Sequence, residues 1–549
     1  MTKYIKTVTA MLLCFSAILC TFTCTYADNE MRGMWISTVY NLDYPSTPTT
    51  DSTKLKSEAD EILDSCKAMG INNVFLQVRP NSDALYKSSI YPWSAYLTGQ
   101  QGLAPDDDFD PLKYWIEGAH SRGMKLHAWI NPYRATKVNS SNENALTGIA
   151  SNNPLALHPE YAIKYVDGNY YYNPALPEVR QMVINGILEI VNNYDVDGIH
   201  MDDYFYPGAD FQDDASFQQL SGGFTDKGDW RRNNVNLLVL GIKKSIDATG
   251  KNVEFGISPA GIWANKSNNP LGSDTAGNEA YYAHYADTRK WALEGTVDYI
   301  APQIYWEIGH PKADYKVLVN WWADTLKNAP AKLYIGIADY KAYNITNTQS
   351  VWYGSGEVIR QMTFNKNTPK VGGEIHFRYK MIKNIPTMAD KIAEFYKGSV
   401  TQPTTAASEK PIETTTQATT KPQTTQPQTL DKNEIRVIVN GKQVAFDQKP
   451  VIENGRTLVP MRAIFEALNA DVQWDNDTRS VLAEAANGTK ITLMIDSKNM
   501  LINGKDMIVL DVPAKIMGSR TMVPLRAVSE AFNCKVDWDG GNRLVTIEE

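Results

Sequence analysis

Cysteine is scarce, with five in 549 residues, and Cys14, Cys20 and Cys24 all fall in an apolar stretch at the N-terminus. Only Cys66 and Cys534 remain beyond it, one in each of two regions that read as separate folds. A disulfide framework is therefore excluded, and both thiols are expected to pack as small buried apolar groups. An excess of positive charge is also missing: 54 Lys and Arg against 62 Asp and Glu leave a net charge of -8. That balance excludes the basic footprint of a nucleic-acid partner. Long apolar runs are confined to the N-terminus, about Val8 to Phe22, preceded by Lys3 and Lys6 and followed by Thr25-Tyr26-Ala27. This is the pattern of a secretory signal over 1–27. A lasting membrane anchor is the alternative, for which the run is short. No later segment offers a span. A secreted product, extracellular or wall-associated and without a transmembrane anchor after cleavage, is the expectation. Histidine is limited to seven, with no HxH or HExxH spacing, so neither metal nor other cofactor is expected.

What is present is the composition of folded protein, 43% hydrophobic and 10% aromatic, in a chain long enough for two or three domains. Residues 399–432 are rich in Thr, Pro and Gln, cannot bury a core, and read as a linker. Beyond them the chain repeats itself: GRTLVPMRAIFEALNADVQWD (455–475) aligns with SRTMVPLRAVSEAFNCKVDWD (519–539), and VNGKQV (439–444) with INGKDM (502–507). Each copy predicts a short strand, an Asn-Gly hairpin turn, a Val-Pro opening an amphipathic helix, and a strand ending in Trp-Asp. Region 433–549 is expected to be a small α+β duplicated domain. It resembles the repeat domain named after the N-terminal domain of copper amine oxidases, found in exported proteins of Gram-positive bacteria. That name implies no metal chemistry here, because every histidine precedes the linker. Wall attachment or spacing is the expected role.

Region 28–398 alternates β-rich runs with helical ones. The β-rich runs are RGMWIST (32–38), NNVFLQVRP (72–80), KLHAWINPY (125–133), GIHMDDYFY (198–206), EFGISPAGIW (254–263), DYIAPQIYW (298–306), LYIGIADY (333–340) and GEIHFRYK (373–380). Between the first two, Leu55, Ala59, Ile62, Leu63 and Cys66 share one helical face that Gly70 stops. Eight such strands predict a (β/α)8 TIM barrel. A doubly wound open sheet is the alternative, and the absence of a Gly-rich phosphate loop after the first strand counts against it.

In such a barrel the carboxyl ends of the strands carry the chemistry. Those ends hold Gln77 and Arg79; His127, Asn131 and Arg134; Asp202 and Asp203; Gln303, Tyr305, Trp306 and Glu307; Asp339 and Tyr340; and His376, Arg378 and Lys380. Glycosidic cleavage needs two carboxyl groups flanking the bond, and Asp202, Asp203 and Glu307 are the supply. Trp35, Trp93, Trp129, Tyr204, Trp263, Tyr305 and Trp306 are candidates for stacking on sugar rings, and some of them for packing beneath the helices. Arg79, His127, Asn131, His200, Gln303, Asp339 and His376 complete the expected substrate-binding set.

The strings VFLQVRPNSDALY (74–86), HAWINPYR (127–134), DGIHMDDYFYP (197–207), GISPAGIW (256–263), DYIAPQIYW (298–306) and GIADYK (336–341) resemble, in this order, the glycosyl-hydrolase-like family 10 barrel of bacterial cell-surface proteins. The resemblance implies hydrolysis of glycan strands, with members linked to peptidoglycan stripped of its stem peptides. Asp197-Gly-Ile-x-x-Asp202 is similar to the fourth-strand motif of α-amylase-type barrels, which implies Asp202 as nucleophile. The same run resembles the chitinase pattern DGxDxDxE, but Tyr204 replaces its terminal acid and His200 its middle Asp. Strand alternation puts Asp202 in phase with His200, and Asp202 is taken as the inward carboxylate. The partner acid is open between Glu307, Asp203 and Asp339. Two other readings remain: a non-catalytic surface glycan-binding protein, and a metal-dependent deacetylase built on His127, His200, Asp202 and His376.

Overall fold

The structure, a computed structural model, describes residues 30–137, 144–398 and, with short interruptions, 435–548. The expected signal and linker lie outside the described residues. The chain divides into two compact units, one on each side of the Thr-rich stretch.

The first unit is a closed barrel of eight strands, all neighbours parallel. The strands are β1 (Met31–Ile36), β2 (Asn73–Arg79), β3 (Lys125–Ile130), β4 (Gly198–Met201), β5 (Glu254–Ile257), β6 (Tyr299–Ile300), β7 (Lys332–Ile337) and β8 (Val371–His376). Every expected β-rich run overlaps one of them. Eight helices follow the strands in turn: α1 (Ser52–Met69), α2 (Pro111–Ser121), α3 (Pro177–Asn193), α4 (Lys227–Ala248), α5 (Thr288–Glu294), α6 (Tyr315–Leu326), α7 (Gly356–Lys366) and α8 (Met388–Tyr396).

Helix α1 shows why these segments are helical. Asp51 caps its first turn by accepting from the amides of Thr53 and Lys54, its apolar face is buried, and Gly70 ends it at φ 84°. Helix α4 starts at Lys227, well before the apolar run at 235–246 that its sequence displays. The charged opening hides the start, because Arg231 and Arg232 are buried there, Arg231 against the Asp213 carboxylate.

The barrel interior is filled in interlocking layers. Trp35, Phe75, Trp129, Tyr299, Tyr334 and Ile375 pack together inside it. Glycines on neighbouring strands make the room: a Cβ on Gly256 would lie 2.0 Å from the Tyr299 ring, and one on Gly198 2.1 Å from His127 Nδ1. The lumen is thus a packed core beneath its mouth.

In the second unit the duplicated strands Arg456–Pro460 and Arg520–Pro524 pair antiparallel about Val459 and Val523, which gives the two copies a local two-fold relation. Each runs directly into a short helix, Met461–Ala467 or Leu525–Ala531. Phe465 and Phe532 meet edge to face at 5.6 Å in the shared core. Asn440 and Gly441 adopt the positive φ of a tight hairpin. Cys66 and Cys534 are both buried and unpaired by disulfide.

Candidate active site

Alternation along β4 turns His200 and then Asp202 into the lumen. Asp202 is buried at the mouth, where Oδ2 accepts from Trp129 Nε1 at 3.1 Å and from Asn131 Nδ2, while Oδ1 accepts from the Tyr204 amide at 3.2 Å. The orientation of Asn131 is itself fixed. Its Oδ1 accepts from Gln77 Nε2 at 2.8 Å, and Gln77 Oε1 accepts from the amides of Thr38 and Val39 at 2.9 and 3.0 Å. The amide side of Asn131 therefore has to face the carboxylate. Burial, and then the charge of the adjacent Asp203, raise the Asp202 pKa to about 7 against the pull of Arg134. Asp203 is half-buried and accepts from Gln303 Nε2 at 3.2 Å, an amide also bonded to the Ser258 carbonyl. Asp202, so buried beside a second carboxyl, holds its proton close to neutrality.

Tyr305 belongs to this mouth. Burial raises its phenol well above the usual range, and Tyr340, Asp203, Asp339 and Asp202 push in the same direction. Tyr204 is 38% exposed and lies over the Arg134 guanidinium at 5.0 Å, while Arg134 Nε bonds to the Pro80 carbonyl. Trp306 is half-buried and packs on the core at the edge of the same loop.

Other candidates turn away, each for a definite reason. Arg79 should share the phase of Phe75 and Gln77, but a break in register between Gln77 and Arg79 turns it outward, against Tyr91 at 4.5 Å and beneath Gly186 of α3. His127 and His200 are inside the lumen but below the mouth. Trp35 Nε1 donates to His200 Nε2 at 3.1 Å, so His200 Nδ1 carries the proton and donates to the Tyr299 hydroxyl at 3.0 Å. That hydroxyl donates to His127 Nδ1 at 3.1 Å, and His127 Nε2 to Asn73 at 3.3 Å. Burial holds both imidazoles neutral, with the His127 pKa near 3 and that of His200 well below its ordinary value. They are core hydrogen-bonding groups and do not reach a ligand.

His376 points through the wall into the helix layer. Its Nδ1 bonds to both carboxylate oxygens of Asp339, and its Nε2 to Tyr396 of α8, whose hydroxyl donates to Glu374. Asp339 is committed to that buried pair. Trp263 is buried in the outer layer, stacked on Trp321 at 6.0 Å with Nε1 bonded to Asp287. Glu307 accepts from Trp352 Nε1 at 3.1 Å and lies on the loop before α6, where its neighbour Ile308 donates to Glu357 at the start of α7. The four residues of the metal reading thus do not converge, because His376 faces the helices.

Asp202, Asp203, Asn131, Gln303, Tyr204 and Tyr305 are the candidates that the fold does bring to the mouth. The orienting roles of Gln77 and Trp129 escaped the sequence reading, although i, i+2 phase with Phe75 and His127 was the signal for both. Asp83 escaped it too. It is buried near Arg134 and accepts from Gln101 at 3.1 Å, and burial raises its pKa to about 6.

The family model described as Glycosyl hydrolase-like 10 matches residues 30–354, and the Copper amine oxidase N-terminal domain model matches 438–547. The chain is 44% identical over 367 residues to Glycosyl hydrolase YngK of Bacillus subtilis (strain 168), covering 66% of this chain and 70% of that one. It is 40% identical over 374 residues to Glycosyl hydrolase DigH of Escherichia coli (strain K12), covering 65% and 84%. Among solved structures it is similar to the PgaB (BpsB) glycoside hydrolase domain from Bordetella bronchiseptica, with TM-score 0.43 and 11% identity over 66% of this chain and 98% of that one.

Proposed function

This chain belongs to the Glycosyl hydrolase-like 10 family and is a glycoside hydrolase, and on that premise we propose that it is exported and cleaves cell-wall glycan, namely peptidoglycan strands lacking stem peptides. The observation that carries a hydrolytic role for the mouth is the Asp202–Asp203 pair, one carboxyl buried and held by Trp129 and Asn131, the other half-buried beside Gln303. Burial and like charge keep a proton on the pair at neutral pH, so that one member donates while the other carries charge. Tyr204 over Arg134 offers an exposed ring for a sugar face, and Tyr305 offers a hydroxyl beside the carboxyls. The family resemblance supports the choice of glycan. The duplicated second unit, without histidine, serves wall attachment or spacing.

The test incubates the purified chain with peptide-free glycan strands and with intact, peptide-bearing wall, and reads products by mass. Oligosaccharides released from the first and few from the second are expected. Unchanged peptide-free strands under conditions where the protein is folded would refute the substrate assignment.

A further inference from the structure

Glycoside hydrolysis with two enzyme carboxylates places them on opposite sides of the scissile bond, about 5–5.5 Å apart for retention and roughly 6.5–9.5 Å for inversion. The supply here is different. Asp202 and Asp203 are consecutive residues at one strand end, whereas Glu307 is tied to Trp352 and Asp339 to His376. Asp83 is sealed against Gln101. Beside the pair, on the loop after β6, the mouth presents Gln303 and Tyr305, which are neutral hydrogen-bonding groups.

Resting on the reading of the barrel as a wall-glycan hydrolase, we propose that the nucleophile is the substrate's own 2-acetamido group, with Asp202 accepting its N–H and Asp203 acting as general acid and base. The substrate class is then a glycan with an N-acetylated amino sugar on the glycosyl side of the cleaved bond. Asp202 suits the role of a fixed acceptor. Two donors lock Oδ2, and Oδ1 has one 3.2 Å backbone contact. In the free protein burial keeps the proton on Asp202; the acetamido N–H adds a fourth donor to that carboxyl and draws the negative charge onto it, which leaves the proton of the pair on Asp203.

In the first step the acetamido carbonyl oxygen bonds to C1, the bond from C1 to the leaving oxygen breaks, and the Asp203 proton passes to that oxygen. The product is an oxazolinium ion whose N–H⁺ is held by the Asp202 carboxylate. In the second step water adds to C1 and the ring C1–O bond breaks, restoring the acetamide, while Asp203 takes the water's proton. One water is consumed, the configuration at C1 is retained, and Asp202 and Asp203 end as they began. Tyr305 is placed to donate to the acetamido oxygen.

The experiment uses the full chain and two probes. The first is the thiazoline of N-acetylglucosamine, in which sulfur replaces the attacking oxygen, with its binding measured by calorimetry. It is expected to bind, with at least a tenfold loss in Asp202→Asn and a smaller loss in Asp203→Asn. The second is peptide-free glycan before and after chemical removal of its acetyl groups, and after re-acetylation. Cleavage is expected only of the acetylated forms, with the β-configuration of the substrate kept in the first product. Equal cleavage of de-acetylated strands, an inverted product, or a glycosyl ester trapped on Asp202 overturns the inference and leaves the wall-glycan reading standing. Thiazoline binding with cleavage of N-acetylglucosamine oligosaccharides but of no wall strand does the reverse. Neither binding nor cleavage overturns both.

Discussion

The barrel wall separates two of its histidines, each with an aspartate from the same or the neighbouring strand. On β4, His200 and Asp202 face the lumen; His376 of β8, with Asp339 from the turn after β7, faces the helices. In the lumen the histidines have hydroxyl, indole and amide partners, so burial wins and they stay neutral. In the wall, burial again lowers the His376 pKa, but the charge and hydrogen bonds of Asp339, with help from Glu374, outweigh it and the net shift is upward. One residue type therefore does opposite electrostatic work on the two faces of one sheet. Of these two aspartates, Asp202 lies at the mouth and Asp339 is spent on His376.

The largest expected effect separates chemistry from folding. Asp202→Asn keeps the shape and the β4 packing, so the barrel should melt near the wild-type temperature while turnover of glycan falls by roughly two orders of magnitude or more, about 3 kcal/mol of lost transition-state stabilisation. Near-wild-type turnover in the folded variant would remove Asp202 from the mechanism. The mirror experiment is Asp339→Asn, which leaves a buried imidazolium without its counter-charge. A loss of about 3 kcal/mol in stability is expected by denaturant titration, with turnover per folded molecule little changed. Loss of turnover without loss of stability would place Asp339 in the active site after all.

A step smaller is Asn131→Ala, which frees the Asp202 carboxylate and leaves the Gln77 amide without its acceptor. A fall in kcat of about tenfold with KM nearly constant is expected, as for partners that orient a reacting group. Wild-type kinetics would show that Trp129 alone suffices to hold Asp202.

The remaining effects are pH slopes of stability, and they should have opposite signs. For His127 the folded pKa is depressed to about 3, so the unfolded chain binds the extra proton between about 6.5 and 3, and stability is lost as pH falls through that window. His127→Phe should destabilise at pH 7.5, with the gap to wild type closing by about 1.4 kcal/mol per pH unit between roughly 6 and 4. For His376 the folded pKa is raised. Its contribution is full below about 6.5 and is lost as pH rises through the folded value. The gap between wild type and His376→Gln should therefore close on the alkaline side. Slopes of the same sign for both variants would refute the contrast between the two faces.

Much of the architecture was legible in the chain itself. Eight β-rich runs, the α1 face from Leu55 to Cys66 and the doubled Val-Pro segments each follow from local periodicity, which is set by backbone geometry and needs no distant partner. Asp202 in phase with His200 was readable for the same reason. The face on which the other candidates lie was not. Parallel barrel strands are buried on both sides, so GEIHFRYK gives no apolar alternation to say that His376 looks outward. The register break before Arg79 reverses a side chain that perfect alternation would have sent inward. Asp339, Trp263 and Glu307 lie on loops beyond their strands, where period two no longer holds and the nearest partners, His376, Asp287 and Trp352, come from elsewhere in the chain. The sequence by itself thus determined the strands, the helices and the repeated tail, because these rest on local geometry. Only the tertiary structure decided which carboxylates meet at the mouth, because that depends on closure of the sheet and on which loop each side chain finds.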